Sequence, residues 1–141
     1  MKAKLIKILI YYWLPVLIWA AVIFALSARP TPVTFEIHLQ DFLVKKSLHV
    51  LFFGSLATLL YRALKVSGIR KIKAGYTSIV ITAIYGVTDE LHQSLTPGRM
   101  PRAYDVFFDT IGAVFAIYII WKYIPKAPKR LRNLAKIFSL N

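Results

Sequence analysis

Residues 5–27 read LIKILIYYWLPVLIWAAVIFALS, and this stretch decides the fold. It holds a single charge, Lys7. At about 1.5 Å of rise per residue, a helix of this length crosses a hydrocarbon core of roughly 30 Å. Lys7 stands near its start, where a long side chain snorkels to the headgroups. Pro15 is tolerated as a kink inside a membrane helix. A secretory signal peptide is the rival reading, because Lys2, Lys4 and Lys7 lie on its N-terminal side and Ala25-Leu26-Ser27 faintly resembles a cleavage site. The apolar run exceeds the roughly 7–15 residues of a signal core, so the span is the better reading.

Working outward, three more apolar blocks follow, at 42–64, 74–95 and 104–124. The second carries Lys45, Lys46 and His49 near its start, and the last ends at Pro125. Of 141 residues, 57% are hydrophobic and 18% charged, which is below the ~25% charged residues of a soluble domain. The pattern predicts an all-α integral membrane four-helix bundle, a single domain over 1–141, with a short amphipathic C-terminal helix in an interfacial tail at 126–141. Trp13, Trp19, Trp121, Tyr61 and Tyr123 include several candidate interfacial anchors. With no cysteine, disulfides and thiolate metal sites are excluded.

The formal charge of +13 invites a nucleic-acid reading, but the basic residues lie just beyond the apolar blocks, where anionic lipid headgroups meet them. Their distribution also sets the orientation. Lys2, Lys4 and Lys7 precede the first block. Arg62, Lys65, Arg70, Lys71 and Lys73 join the second to the third, and Lys122, Lys126, Lys129, Arg130, Arg132 and Lys136 follow the fourth. Only Arg29, Lys45, Lys46, Arg99 and Arg102 fall on the other side. The positive-inside rule then puts both termini in the cytoplasm. In the tail, Leu131, Leu134, Ala135 and Phe138 share a helical face, which fits a helix lying on the inner leaflet. A solvated basic tail is the plain alternative.

Four of the six carboxylates, Asp89, Glu90, Asp105 and Asp109, flank the turn at 96–102. Charges inside a span are costly and are kept where they have partners or a task. Asp89, His92 and Gln93 have i, i+3, i+4 spacing and share one helical face. Asp105 and Asp109 are four apart, one turn from Gly112 and Ala113, whose small size lets a neighbouring helix approach. Lys46 and His49 are three apart on the second block. With the predicted topology, Lys46, His49, Asp89, His92, Gln93, Arg99, Asp105 and Asp109 meet at one depth, in a polar pocket open to the outer face.

Asp89-Glu90-Leu91-His92-Gln93, then Pro97-Gly98-Arg99, Asp105 and Thr110-Ile111-Gly112, resembles the signature of the VanZ-like membrane protein family. Lys46-Ser47-Leu48-His49 is similar to that family's Lys-x-x-His motif, and the resemblance runs from about Ser27 to Ile120. Two positions depart from the pattern: Phe53 stands where the family usually has tyrosine, and Asp109 where it usually has asparagine. The resemblance implies a bacterial inner-membrane protein. The family's namesake is associated with resistance to teicoplanin, a lipoglycopeptide that binds cell-wall precursors on the outer face.

Four uses of the pocket are open at this point. A non-catalytic binder of a lipid headgroup, lipid-linked cell-wall precursor or lipoglycopeptide would use Lys46, His49, Asp89, Glu90, His92, Gln93, Arg99, Asp105 and Asp109. An enzyme on a lipid-linked precursor would draw its acid–base groups from His49, Asp89, His92 and Asp105, with Arg99, Arg102 and Lys46 clamping an anion. No serine or threonine has an evident nucleophile context. A metal site would start from Asp89-x-x-His92, but one such pair is a weak signal and the zinc-protease spacing is missing. A proton or solute path is the fourth use, although four spans are few for a transporter. No metal or cofactor and no nucleic-acid partner is expected, and the oligomeric state is open. The structural alternatives are a His49–Asp89 pair tying the second helix to the third, Asp105 as an N-terminal helix cap or dipole partner, Pro97-Gly98 as an ordinary turn, Lys45 at the interface and His38 as an exposed loop residue.

Overall fold

The computed structural model describes residues 2–29, 38–97 and 102–140. Among them there are five helices and no strand: α1 (Lys2–Ser27), α2 (His38–Val66), α3 (Lys71–Ser94), α4 (Ala103–Lys122) and the short α5 (Lys129–Ile137). The helices overrun the apolar blocks at several ends. α2 starts four residues before the expected 42, where Asp41 and Lys45 form an i, i+4 pair of 2.6 Å. In α1 the turn at Leu9–Trp13 is widened into a π-helix just before Pro15. Proline cannot donate to the carbonyl one turn back, and the wider turn is where the helix absorbs that defect.

α1, α2 and α4 are long and apolar enough to cross a membrane. Their exposed residues include Leu17, Leu51 and Phe107, each more than 60% accessible, so the apolar surface faces outward as a lipid-facing surface does. α3 is as long, but it is not among the helices apolar enough by composition. Its polarity is inverted relative to a soluble helix. Ser78, Thr82, Asp89, Glu90 and Gln93 are buried, while Tyr76, Val80, Ile84, Val87 and Leu91 are exposed. These five polar residues, which lower its hydropathy, face protein, while Lys71, Lys73, Thr88 and Ser94 are exposed.

α2, α3 and α4 form the packed centre, and α1 leans mainly on α2. Small residues set the central crossing. The carbonyl oxygen of Gly112 lies 3.0 Å from where a β-carbon on Gly54 would sit, and the Val50 Cα lies 2.9 Å from that position on Gly112. Only hydrogen-sized side chains let the two backbones approach this closely. One apolar cluster joins α1 to α2 through Val16, Ile23, Phe53, Leu56 and Leu60. A second joins Tyr61, Leu64, Ala74, Ile117 and Ile120 at the far end. Three polar contacts pin α1: Trp19 donates to the Phe52 carbonyl (2.9 Å), Tyr85 donates to the Ala20 carbonyl (2.7 Å), and Ser27 Oγ lies 3.4 Å from His92 Nδ1.

The turn between α2 and α3 is closed by Gly68 at φ +98°. The Gly68 and Ile69 N–H groups donate to the Lys65 and Leu64 carbonyls, the pattern of a Schellman cap. α5 folds back onto this same end. Its Ala135 is buried, Arg62 donates to the Phe138 carbonyl (2.6 Å), and Tyr12 and Ser139 share a hydrogen bond of 3.2 Å. Leu131, Leu134, Ile137 and Phe138 are exposed apolar residues beside Arg130, Arg132 and Lys136, so the helix is amphipathic.

Candidate functional site

At the opposite end from α5, three helices bring their charges to one level. Counted at about 1.5 Å per residue, Lys46 sits roughly 12 Å inside the start of α2, Asp109 about 9 Å inside the start of α4, and Asp89 about 8 Å before the end of α3. Lys46, Asp89, Glu90, Gln93, Asp105 and Asp109 are all buried, and His49 is partly so. Burying a charge is costly unless it is paired and hydrogen-bonded, so the pairing pattern defines the site.

Lys46 forms a buried salt bridge with Asp105 Oδ1, linking α2 to α4. Its ammonium is ringed by Tyr104, Phe42 and Phe108, at 4.7, 5.6 and 5.9 Å from the ring centroids, distances that suit cation–π attraction. The N-cap position of α4 is Arg102, and Asp105 lies in the first turn, a favourable place for a negative charge. Asp105 is thus not the N-cap residue; it stands where the helix dipole favours it and forms an interhelical ion pair.

His49 Nδ1 lies 2.8 Å from Asp109 Oδ1, with the imidazole N–H donating to the carboxylate, and His49 Nε2 is 3.9 Å from Asp105 Oδ2. The histidine thus ties α2 to α4, not to Asp89 on α3. Phe53, one turn on, runs nearly parallel to the His49 ring with centroids 6.2 Å apart, and forms an apolar wall where a tyrosine would bring a hydroxyl. Asp109 itself is fully buried and presses against Gly86 of α3, where a β-carbon would stand 3.0 Å from its Oδ2.

Asp89 accepts from Gln93 Nε2 at 2.7 Å within α3. Glu90 faces the connection instead: its Oε2 accepts from the Arg102 N–H at 2.7 Å, fastening the end of α3 to the start of α4. His92 leaves the cluster. It stacks on Phe24 of α1 (centroids 3.8 Å apart, planes 14° apart) and approaches Ser27. Asp89 and His92 thus have different partners, which removes the pairing the metal alternative needed. Among the described residues no three His, Cys, Asp or Glu side chains are grouped to hold a metal ion. Arg99, Gly98 and the side chain of His38 lie outside the described residues. The Arg102 guanidinium is exposed and donates to Tyr104 OH at 2.7 Å.

Residues 6–124 match the VanZ/LLP1 family. The chain belongs to that family. No curated protein and no solved structure matches the chain. The VanZ/LLP1 match embraces both halves of the cluster, the Lys46-Ser47-Leu48-His49 segment on α2 and the Asp89–Asp109 region on α3 and α4. Family membership and the outward apolar helices together make this a membrane protein.

Four contributors were not legible beforehand. Tyr104 and Phe108 complete the ring around Lys46, Gly86 admits Asp109, and Phe24 holds His92. Phe42 had a signal, since it is one turn before Lys46. The others depend on which helix faces which.

Proposed function

We propose that this VanZ/LLP1-family protein is a single-domain, four-span protein of the bacterial inner membrane with both termini in the cytoplasm. Its outward-facing polar site binds a cell-envelope lipid headgroup or a lipoglycopeptide and contributes to teicoplanin-type resistance. The observation that carries this reading is the convergence of six buried polar and charged side chains from α2, α3 and α4 at one end of the bundle. Fourteen of nineteen Lys and Arg gather toward the other end, the cytoplasmic one by the positive-inside rule. α3 counts as the fourth span because its length suffices and Ser78, Thr82, Asp89, Glu90 and Gln93 turn to protein while Val80, Ile84, Val87 and Leu91 face out. α5, with its exposed apolar and basic residues, lies on the inner leaflet.

A second reading, an enzyme acting on a lipid-linked cell-wall precursor, draws on the 2.8 Å His49–Asp109 contact, in which a carboxylate orients an imidazole. Binding is favoured over it because both His49 nitrogens face carboxylates, leaving neither directed at a nucleophile.

The test is teicoplanin and vancomycin susceptibility of a sensitive Gram-positive host expressing the chain, with membrane levels checked by immunoblot. Selective teicoplanin resistance that disappears in His49→Ala, Asp89→Asn and Asp105→Asn variants of normal abundance is the expected result. Full susceptibility despite well-expressed wild-type protein would remove the resistance role.

A further inference from the structure

We infer that the cluster recognises a protonated amino group on its ligand, not a phosphate; this rests on the proposed reading of the cluster as a ligand site. The first observation is the balance of charge. Asp89, Glu90, Asp105 and Asp109 stand against Lys46 and His49, which are already engaged with Asp105 and Asp109, and against Arg102, whose guanidinium is exposed and turned to Tyr104. Lys46 in addition is boxed in by three aromatic rings, so it cannot swing out to clamp an incoming anion without breaking a buried pair.

A second observation points to a missing donor. Asp89 Oδ1, Glu90 Oε1 and Asp109 Oδ2 are each buried with no hydrogen-bond partner among the described residues, and the three side chains belong to residues only 4%, 7% and 0% exposed. Buried polar atoms in native proteins are nearly always partnered, and an orphaned carboxylate oxygen is the most costly kind to leave so. Asp109 Oδ2 is aimed at the α3 backbone at Gly86, three residues before Asp89.

The chemistry of the missing partner follows. A phosphate would bring more acceptors and more negative charge to a site that has a surplus of both. An ammonium group carries three N–H donors, no acceptor and the complementary charge, and it can be held by one or two of these oxygens without a full shell of carboxylates. A divalent cation has the right sign but asks for several oxygens in a fixed shell, and no three ligand-type side chains are grouped for that among the described residues. The amine can come from an ethanolamine headgroup or from an amino side chain of a cell-wall peptide or glycopeptide.

The experiment is thermal unfolding of the full chain in nanodiscs, in two arms. One arm compares phosphatidylethanolamine with N-acetyl-phosphatidylethanolamine and phosphatidylglycerol. The other compares a lysine-containing cell-wall pentapeptide with its Nε-acetyl form. A rise in Tm of several degrees with the free amine and not with the acetylated form is expected in one arm, which names the source. Glu90→Gln and Asp89→Asn should each abolish that rise; either variant that folds normally and keeps the full rise overturns the inference. Equal stabilisation by free and acetylated forms overturns the amine and keeps the site, as does stabilisation by phosphatidylglycerol or by magnesium alone. If no probe shifts Tm while the resistance phenotype persists, the amine inference fails and the site stands. If both are null, both fail.

Discussion

Replacing Lys46 with methionine isolates the ion pair on which the outer end is built. The side chains of Lys46 and Asp105 are each 8% exposed, so Lys46→Met leaves a buried carboxylate with only His49 Nε2, 3.9 Å away, as a cationic neighbour. Breaking a buried pair by removing one partner costs about 3–5 kcal/mol. The lost attraction to the three rings adds about 0.5–2 kcal/mol, of which methionine recovers part by its own contact with aromatic faces. The single variant should therefore lose roughly 3–6 kcal/mol. Lys46→Met combined with Asp105→Asn removes both charges and should lose only about 1–2 kcal/mol, since a buried ion pair is close to break-even against a neutral replacement. The assay is a double-mutant cycle on detergent-solubilised protein, with unfolding followed by tryptophan fluorescence. Single losses below about 1 kcal/mol that simply add in the double variant would refute the reasoning, because they would mean that the pair is solvated and uncoupled.

Three further outcomes follow from the geometry. Asp109→Asn keeps an acceptor for the His49 N–H and should change stability by less than about 1 kcal/mol, whereas Asp109→Ala strands the imidazole and should cost about 1–3 kcal/mol in the same unfolding assay. Gly112→Ala drives a methyl against the Val50 backbone, which cannot rotate away; it should cost about 1–3 kcal/mol or more, measured as loss of folded protein after solubilisation. Gly86→Ala meets Asp109 Oδ2 at 3.0 Å and should lower stability less than Gly112→Ala does, because a side-chain oxygen yields more readily than backbone.

The helices were legible because membrane spans announce themselves by apolar length, and the α2–α4 crossing was foreshadowed by Gly112. α3 shows where this signal weakens: Ser78, Thr82, Asp89, Glu90 and Gln93 dilute its hydropathy although all are hidden against protein. For the cluster, helical spacing gave the faces but not the neighbours. Asp89, His92 and Gln93 do lie close round the helix, yet that face looks into the groove between two partners. Asp89 and Gln93 stay at the centre while His92, about 60° away, turns to Phe24 on α1. His49 lies at the same level of the bundle as the other cluster residues, but its choice of Asp109 over Asp89 depends on the tight α2–α4 contact, which brings α4 closer than spacing along one chain segment can reveal.

The most direct test of the account uses the absence of native cysteine. Single substitutions Thr96→Cys, beyond α3 at the cluster end, and Ser67→Cys, beyond α2 at the basic end, are exposed to a membrane-impermeant maleimide in intact cells and again after permeabilisation. The account predicts labelling of Thr96→Cys in intact cells, and labelling of Ser67→Cys only after permeabilisation. The reverse pattern would put the cluster on the cytoplasmic face, and labelling of both in intact cells would mean that α3 does not cross the membrane.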